Sequence, residues 1–337
     1  MKLTDRFDAF LVDLDGVVWR GEEAIAGAAT TVEMLREMGK RVVFVTNNAS
    51  KSPREYAVKL MRLRIPTDPA DVVTSAHAVV ENLRSLRLHR GDRIHVCAAP
   101  GLSQVLRGHG FTPTREIADA KALVVAWNPR LTFDDIRKAS DLARAGVPFI
   151  GANRDATYPS ESGLLPGTGA ILAAIETASG RTAIVVGKPQ PGIFRIALHR
   201  AEVDPSRALF VGDRADTDVA GARAAGLPAA LVLTGVTGES ELGSLSDRPD
   251  VILGSLADVL STDEPSLEGR TPVVEGRDPS GRAALVTAED EDQDRSGDEP
   301  ANVSEVGNPT LFTGLTESSG GAEELNEEPD PEHDPSW

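Results

Sequence analysis

An α/β protein built on a parallel sheet with helices on both faces is the fold class this sequence predicts. Three observations predict it. Short apolar runs alternate with segments of helical spacing through residues 1–260. Those runs are continuously apolar rather than alternating, as expected of strands covered on both sides. Several of them are followed at once by a cluster of polar, chemistry-bearing residues.

The elements follow in order. Phe10-Leu11-Val12 is the first strand, and Ala28 to Met38 is a helix, with Val32, Leu35 and Met38 near helical spacing and Gly39 as its stop. Arg41–Val45 is a second buried strand. Ser52–Leu63 is a helix whose Pro53 suits a first turn. Asp71–Thr74 is a third strand. Strands then follow at Arg93–Cys97, Ala122–Trp127 and Val147–Gly151, with helices at about 101–109 and 132–145. After Gly180 come a strand Ala183–Val186, a helix Pro191–Ala201, a strand Ala208–Gly212, a helix Ala215–Ala225 and strands Ala229–Leu233 and Val251–Leu253. No repeat at solenoid periods is present.

At 337 residues the chain has room for about two domains at roughly 150 residues each. Its net charge of −17 is unevenly placed: residues from Ser261 to Trp337 hold 21 acids and 4 bases, leaving 31 of each before them. The body is therefore neutral, with no basic excess to neutralise a phosphate backbone, and no nucleic-acid partner is expected. Beyond Ser261, lysine is absent and Gly, Pro, Ser, Asp and Glu dominate. Such a segment cannot bury enough apolar surface to offset its chain entropy, so 261–337 is expected to be a disordered acidic tail. One cysteine, Cys97, excludes an internal disulfide framework and any Cys-based metal cluster. The six histidines show no HExxH spacing. The polar start, with no signal-peptide apolar region, and the lack of a run near 20 apolar residues give the expectation of a cytoplasmic protein without a membrane partner.

Four clusters carry chemistry. Asp13-Leu14-Asp15-Gly16 follows the first strand, and alternation along an extended backbone sets both carboxylates on one side. Like charges so close need a cation or a shared proton. Thr46-Asn47-Asn48 follows the second strand and offers a hydroxyl and backbone N–H groups to an anionic oxygen. Gly187-Lys188-Pro189 sets a lysine at a strand's carboxyl end, where it can offset phosphate charge. It is no Walker A loop, since Pro189 stands where Ser or Thr belongs. Gly212-Asp213-Arg214-Ala215-Asp216-Thr217-Asp218 brings further carboxylates for a hard, oxygen-preferring divalent ion through Asp213 and Asp218, with Asp216 available to cap a helix. In a parallel sheet, ligands bind beyond the carboxyl ends of the strands, so the joint pattern points to one active site.

On these residues, with Val186, Thr217 and the stretch Asn153-Arg154-Asp155-x-Thr157 through Pro166-Gly167-Thr168-Gly169, the sequence resembles the haloacid dehalogenase superfamily of phosphatases. The likeness is to the NagD-like branch that includes phosphoglycolate and p-nitrophenyl phosphatases, and it spans about residues 6–260. It implies a doubly wound core, residues 1–76 and 181–260, interrupted by an α/β cap at 77–180 that governs substrate choice, with Gly167-x-Gly169 as a turn near the returning linker. It further implies Mg²⁺-dependent hydrolysis of a small phosphorylated metabolite. Asp13 would be the nucleophile that forms an aspartyl-phosphate, and Asp15 the acid and then base. Thr46 and the Asn47 backbone would bind phosphoryl oxygens and Lys188 would offset their charge. The metal would be held by Asp13, the Asp15 carbonyl and Asp213, with Asp218 acting through water.

Trp127-Asn128 stands where the family commonly has Gly-x-Asp, so a relative's substrate does not carry over directly. The Arg- and Ala-rich, Lys-poor body resembles actinobacterial members that include glycerol-3-phosphate phosphatases, which makes glycerol 3-phosphate the first expected substrate. Phosphoglycolate, sugar phosphates and nucleotides are the alternatives. Arg154 is expected to be a surface residue or to read a second anionic group. A homodimer through the cap is a further expectation from relatives. Rival classes are a receiver-type phosphorylation switch, which would be one shorter domain, and a catalytically silent ligand-binding relative.

Overall fold

The computed structural model describes residues 1–160 and 163–262, so nearly all of the acidic segment expected to be disordered lies outside the described residues. Helix α1 (Leu3–Arg6) leads to strand β1 (Ala9–Val12) and a short hairpin, β2 (Trp19–Arg20) and β3 (Glu23–Ala24). Helix α2 (Ala28–Glu37), strand β4 (Arg41–Thr46), helix α3 (Pro53–Arg62), strand β5 (Val72–Thr74) and helix α4 (Ser75–Ser85) follow. The middle of the chain forms β6 (Arg93–Cys97), α5 (Pro100–Gly108), β7 (Thr112–Thr114), β8 (Ala122–Val125), α6 (Phe133–Arg144) and β9 (Phe149–Gly151). A hairpin of β10 (Thr157–Ser160) and β11 (Gly163–Pro166), helix α7 (Thr168–Ser179) and strand β12 (Ile184–Val185) complete it. The last part holds α8 (Pro191–Ala201), β13 (Ala208–Gly212), α9 (Ala220–Ala224), β14 (Ala229–Val232) and β15 (Val251–Leu253).

Two sheets result. The first has the order β15-β14-β13-β1-β4-β5 with every pairing parallel. The chain steps outward from β1 through β4 to β5, then returns beside β1 and steps outward the other way. The carboxyl ends of β1 and β13 therefore flank a topological switch point, where the loops part to leave a crevice. The second sheet, β12-β9-β8-β6-β7, is also parallel and is formed by chain lying between β5 and β13. A single-domain switch would lack it.

Side chains of the first sheet alternate between two apolar clusters. Phe10, Val12, Phe44 and Val211 enter one, while Leu11, Val43, Val45 and Phe210 enter the other. This is why the strands read as unbroken apolar runs. The second cluster continues through Val79 and Leu83 of α4 and Leu102 of α5 to Ile94 and Val124 of the second sheet. The expected cap boundaries cut across this seam: residue 77 falls inside α4, and residue 180 precedes β12, which pairs with β9.

Three local expectations are corrected. Residues 215–225 are not one α-helix: Ala215–Val219 is a π-turn and only Ala220–Ala224 is α-helical. The cause is Asp218, whose carboxylate turns back to accept the Asp213 and Arg214 N–H groups, each at 3.0 Å, widening the turn. Gly167-x-Gly169 is not a linker turn but the start of α7. A Cβ at Gly167 would lie 2.2 Å from the Asp155 carbonyl oxygen, so glycine is needed for close backbone packing. Asp216 caps nothing and is instead paired with Arg214 at 2.9 Å on the surface. Among the described residues no helix is long and apolar enough to cross a membrane.

Candidate active site

The switch point collects three of the four clusters. Beyond β1, the Asp13 N–H still bonds the Val211 carbonyl at 2.9 Å, so the Asp13 carboxylate is fixed at the strand's end. Gly16 then turns the chain with φ +82°, and a Cβ there would meet the Asp213 carboxylate at 2.4 Å. Only glycine suits both demands. The turn brings the Trp19 indole N–H to the Asp15 Oδ1 at 2.9 Å. The fourth cluster arrives differently from expectation: Lys188 follows β12, a strand of the second sheet, rather than a strand of the sheet that carries the aspartates.

Asn47 delivers that lysine. Its Oδ1 accepts the Lys188 N–H at 2.7 Å, and its Nδ2 donates to the Lys188 carbonyl and to Asp155 Oδ1, both at 3.1 Å. Its own carbonyl accepts from the Ser75 hydroxyl at 2.5 Å and Asn153 Nδ2 at 2.7 Å. With the Asn47 side chain thus engaged, Thr46 keeps a hydroxyl proton to donate, because its Oγ1 accepts from the Asn48 N–H at 3.1 Å.

Lys188 Nζ donates to Asp13 Oδ1 at 2.8 Å and to Asp218 Oδ1 at 2.6 Å. All of Asp13, Lys188, Asp213 and Asp218 are buried, at 6, 3, 2 and 0 % exposure. Both Asp218 oxygens are therefore engaged, by Lys188 and by the two backbone N–H groups. The Asp213 carboxylate accepts a single hydrogen bond among the described residues, from the Val236 N–H at 2.8 Å. Three buried carboxylates thus face one ammonium, and one oxygen of each lies within 4.8 Å of the others.

The electrostatics report a shortage of positive charge. Burial raises the Asp13 pKa well above the usual carboxylate range, Lys188 opposes the rise, and Asp218 and Asp213 add to it. Burial, then the charge of Asp218, pushes Asp213 up to about 7. Burial disfavours the Lys188 ammonium, yet Asp13 and Asp218 outweigh that and raise its pKa. A divalent cation would balance the excess charge, and oxygen ligands suit a hard ion. Among the described residues no other group of three or more acidic, histidine or cysteine side chains is close enough to hold a metal.

Above these groups opens a cleft of about 680 Å³. Asp155, Tyr158, Trp19 and Arg214 line it beyond the carboxylates. The chain has only three tryptophans and two tyrosines, and four of these five rings form two stacked pairs at the cleft. Trp19 lies over Tyr56 at 6.3 Å, and Trp127 over Tyr158 at 4.0 Å. Asn48 Nδ2 donates to the Tyr158 hydroxyl at 3.3 Å, joining the β10–β11 hairpin to the loop after β4. Burial raises both Asp15 and Asp155. Asp155, Tyr158 and Trp19 escaped the sequence reading as site residues, though the scarcity of aromatic rings was a usable signal. Arg154 is paired with Glu176 at 2.6 Å, away from the cleft lining. The Cys97–Leu102 stretch ends β6 and opens α5, where Gly101 N–H bonds the Ser50 carbonyl at 3.1 Å.

Comparison with known proteins identifies the family. Residues 10–112 match the family model for haloacid dehalogenase-like hydrolases, and residues 185–259 match a second, HAD-hydrolase-like model. A D-glycerol 3-phosphate phosphatase of Mycobacterium tuberculosis is 40% identical over 69% of this chain and 65% of its own length. A glycerol-3-phosphate phosphatase of Gallus gallus is 34% identical over 77% of this chain and 92% of its own. The crystal structure of a Mycobacterium tuberculosis glycerol phosphate phosphatase in complex with magnesium superposes with a TM-score of 0.73 at 36% identity, covering 77% of this chain and 78% of that one.

Proposed function

The chain belongs to the haloacid dehalogenase-like hydrolases, and from that membership we propose that it is a Mg²⁺-dependent phosphatase acting on glycerol 3-phosphate. The observation that carries the reading is the buried cluster in which Lys188 bridges Asp13 and Asp218 beside Asp213, under a cleft sized for a small ester. The relatives' names support the substrate. Asp13, the Asp15 backbone carbonyl and Asp213 would hold Mg²⁺, with Asp218 fixing Lys188 and reaching the ion through water. When bound, the ion supplies the positive charge that lets an anionic nucleophile approach an anionic phosphoryl group.

The residues divide the work as follows. Thr46 and the Asn47 backbone N–H hold the phosphoryl oxygens, and Lys188 offsets their charge. Asp13 attacks phosphorus, breaking the ester P–O bond and leaving an aspartyl-phosphate. Covalent catalysis splits one hard displacement into two easier ones. Asp15 donates its proton to the departing alcohol. It can hold that proton because burial raises its pKa, and its Oδ1 is already fixed by Trp19. The resulting carboxylate then takes a proton from the water that attacks phosphorus and frees Asp13. The second sheet serves as the cap, with Tyr158 and Asp155 facing the leaving group. The reading includes a metabolite handled in the cytoplasm and a homodimer formed through the cap.

A kinetic screen of small phosphate esters with Mg²⁺ tests the substrate. Glycerol 3-phosphate is expected to show the highest kcat/KM, and a tenfold preference for phosphoglycolate, a sugar phosphate or a nucleotide would replace it. Asp15→Asn is expected to lower turnover of glycerol 3-phosphate by roughly 10²–10⁴-fold. p-Nitrophenyl phosphate should differ, because its leaving group departs without protonation. The variant should release one burst equivalent of p-nitrophenolate and then stall at the aspartyl-phosphate. Wild-type steady-state rates on both esters would remove Asp15 from acid–base work.

Metal affinity should depend on pH through Asp213. Below a pKa of about 7 its carboxyl is protonated, so Mg²⁺ must displace that proton. Affinity measured by calorimetry is expected to climb up to about tenfold per pH unit on approaching 7 from below, then level off. A flat profile across that range would contradict an Asp213 carboxyl that holds its proton up to near neutral pH.

A further inference from the structure

A second cavity, of about 540 Å³, lies between α4, the end of α5 and α8. None of the residues lining the catalytic cleft lines this cavity, and none of the cleft-lining residues is a histidine. His77, His109, His199, Arg195 and Arg200 line it, with Val80 and Ile196 as its apolar wall.

The hydrogen bonds decide what these groups can accept. His77 is buried, and its Nδ1 accepts the Thr74 N–H at 3.1 Å, so the neutral ring carries its proton on Nε2. His109 Nδ1 lies 3.3 Å from Arg84 Nη2. A guanidinium can only donate, so that Nδ1 also accepts and Nε2 again bears the proton. Arg200 is anchored by a hydrogen bond to the Ala70 carbonyl and retains further donors. The side chains of Arg195 and His199, one turn apart on α8, have no hydrogen-bond or ion-pair partner among the described residues. The one acid in the lining, Glu81, is paired with Arg84 at 2.8 Å. The unengaged polar groups of the lining are thus mainly N–H donors, two of them cationic, beside an apolar wall. The neighbouring charges leave the same mark: burial lowers the His77 pKa to about 4, and Arg200 and His109 contribute to that fall.

We propose that this cavity binds a small organic phosphate, its phosphoryl group received by Arg195, Arg200 and the imidazoles of His77 and His109, with its carbon body against Val80 and Ile196. The volume falls within the roughly 300–1,000 Å³ typical of small-molecule sites. Guanidinium groups suit phosphate oxygens because they present several N–H donors in one plane. A ligand there would tie α4, which leads from β5 into the second sheet, to α8, which follows β12 back toward β13. The inference stands apart from the catalytic reading, since the two sites share no residue.

The chain's six histidines make the test site-resolved. Inorganic phosphate, titrated into the Mg²⁺-loaded full chain, is expected to shift the imidazole NMR signals of His77, His109 and His199 with saturation. His89 and His95, outside the cavity, should stay still. Arg195→Gln should raise the half-saturating concentration about tenfold or more while leaving kcat/KM unchanged. No histidine lines the catalytic cleft, and hydrolysis does not depend on this cavity, so failure here leaves the hydrolytic reading intact. Shifts that do not saturate, that spread to His89 and His95, or that persist equally in Arg195→Gln would overturn the proposal.

Discussion

Asp13→Asn is expected to lower Mg²⁺-dependent release of phosphate from p-nitrophenyl phosphate by about 10⁴-fold or more, which corresponds to about 5 kcal/mol of barrier. An amide is nearly the shape of a carboxylate, so packing around β1 is unchanged, and the amide oxygen of the substituted side chain can still accept from Lys188 Nζ. On the proposed mechanism, what is lost is the anionic oxygen that meets phosphorus and one charge of the metal-binding set. Removing one of three crowded buried carboxylates also relieves like-charge repulsion, so thermal stability without metal should fall little or rise. Circular dichroism and a melting curve check the fold, and initial rates check the chemistry. Turnover within tenfold of wild type would exclude Asp13 as nucleophile.

Lys188→Met is expected to damage both activity and stability. The ammonium sits 2.8 Å from Asp13 and 2.6 Å from Asp218, with almost no exposure. Deleting one partner of a buried ion pair leaves uncompensated charge and typically costs about 3–5 kcal/mol. For a described chain of this size that is roughly a 10 °C fall in melting temperature. The pH dependence follows in sign. Lys188 holds the Asp13 pKa down against burial, so without it the Asp13 carboxyl is raised further. Its protonation then favours the folded state, and the variant should gain stability relative to wild type as pH falls from about 7.5 to about 5.5. Mg²⁺ should restore part of the loss by binding only the folded chain. Turnover should drop by about 10³-fold, the range seen when a positioned charge-stabilising group is removed. Denaturant titrations at the two pH values would contradict this account if wild type and variant shifted in parallel.

The sequence showed the strands of the first sheet clearly because burial on both faces makes them continuous apolar runs. Phe10–Val12 and Arg41–Val45 needed no knowledge of their neighbours. What it could not show was which sheet a run would join. Ile184-Val185 reads like any other parallel strand, yet it pairs with β9, and Lys188 therefore enters the site from the second sheet. Asp216 and Asp218 illustrate a related limit. Both lie in one acidic turn, and only long-range contact with Lys188 decides that Asp218 turns inward while Asp216 pairs with Arg214 on the surface. Asp155 and Tyr158 depend on a short hairpin with no periodicity of its own, and their place over the cleft is set by Trp127 stacking and by Asn47 and Asn48. Gly16 was legible as part of a motif. Its second demand, clearance from Asp213 some two hundred residues away, was not.

In the proposed mechanism, covalent phosphorylation of Asp13 is the step on which the rest of the chemistry depends. The most direct measurement is peptide mapping by mass spectrometry of Asp15→Asn quenched in acid during turnover of p-nitrophenyl phosphate with Mg²⁺. A phosphoryl adduct on Asp13, absent when Asp13→Asn is added, is the expected result. An unmodified Asp13 peptide despite a full burst of p-nitrophenolate would contradict it.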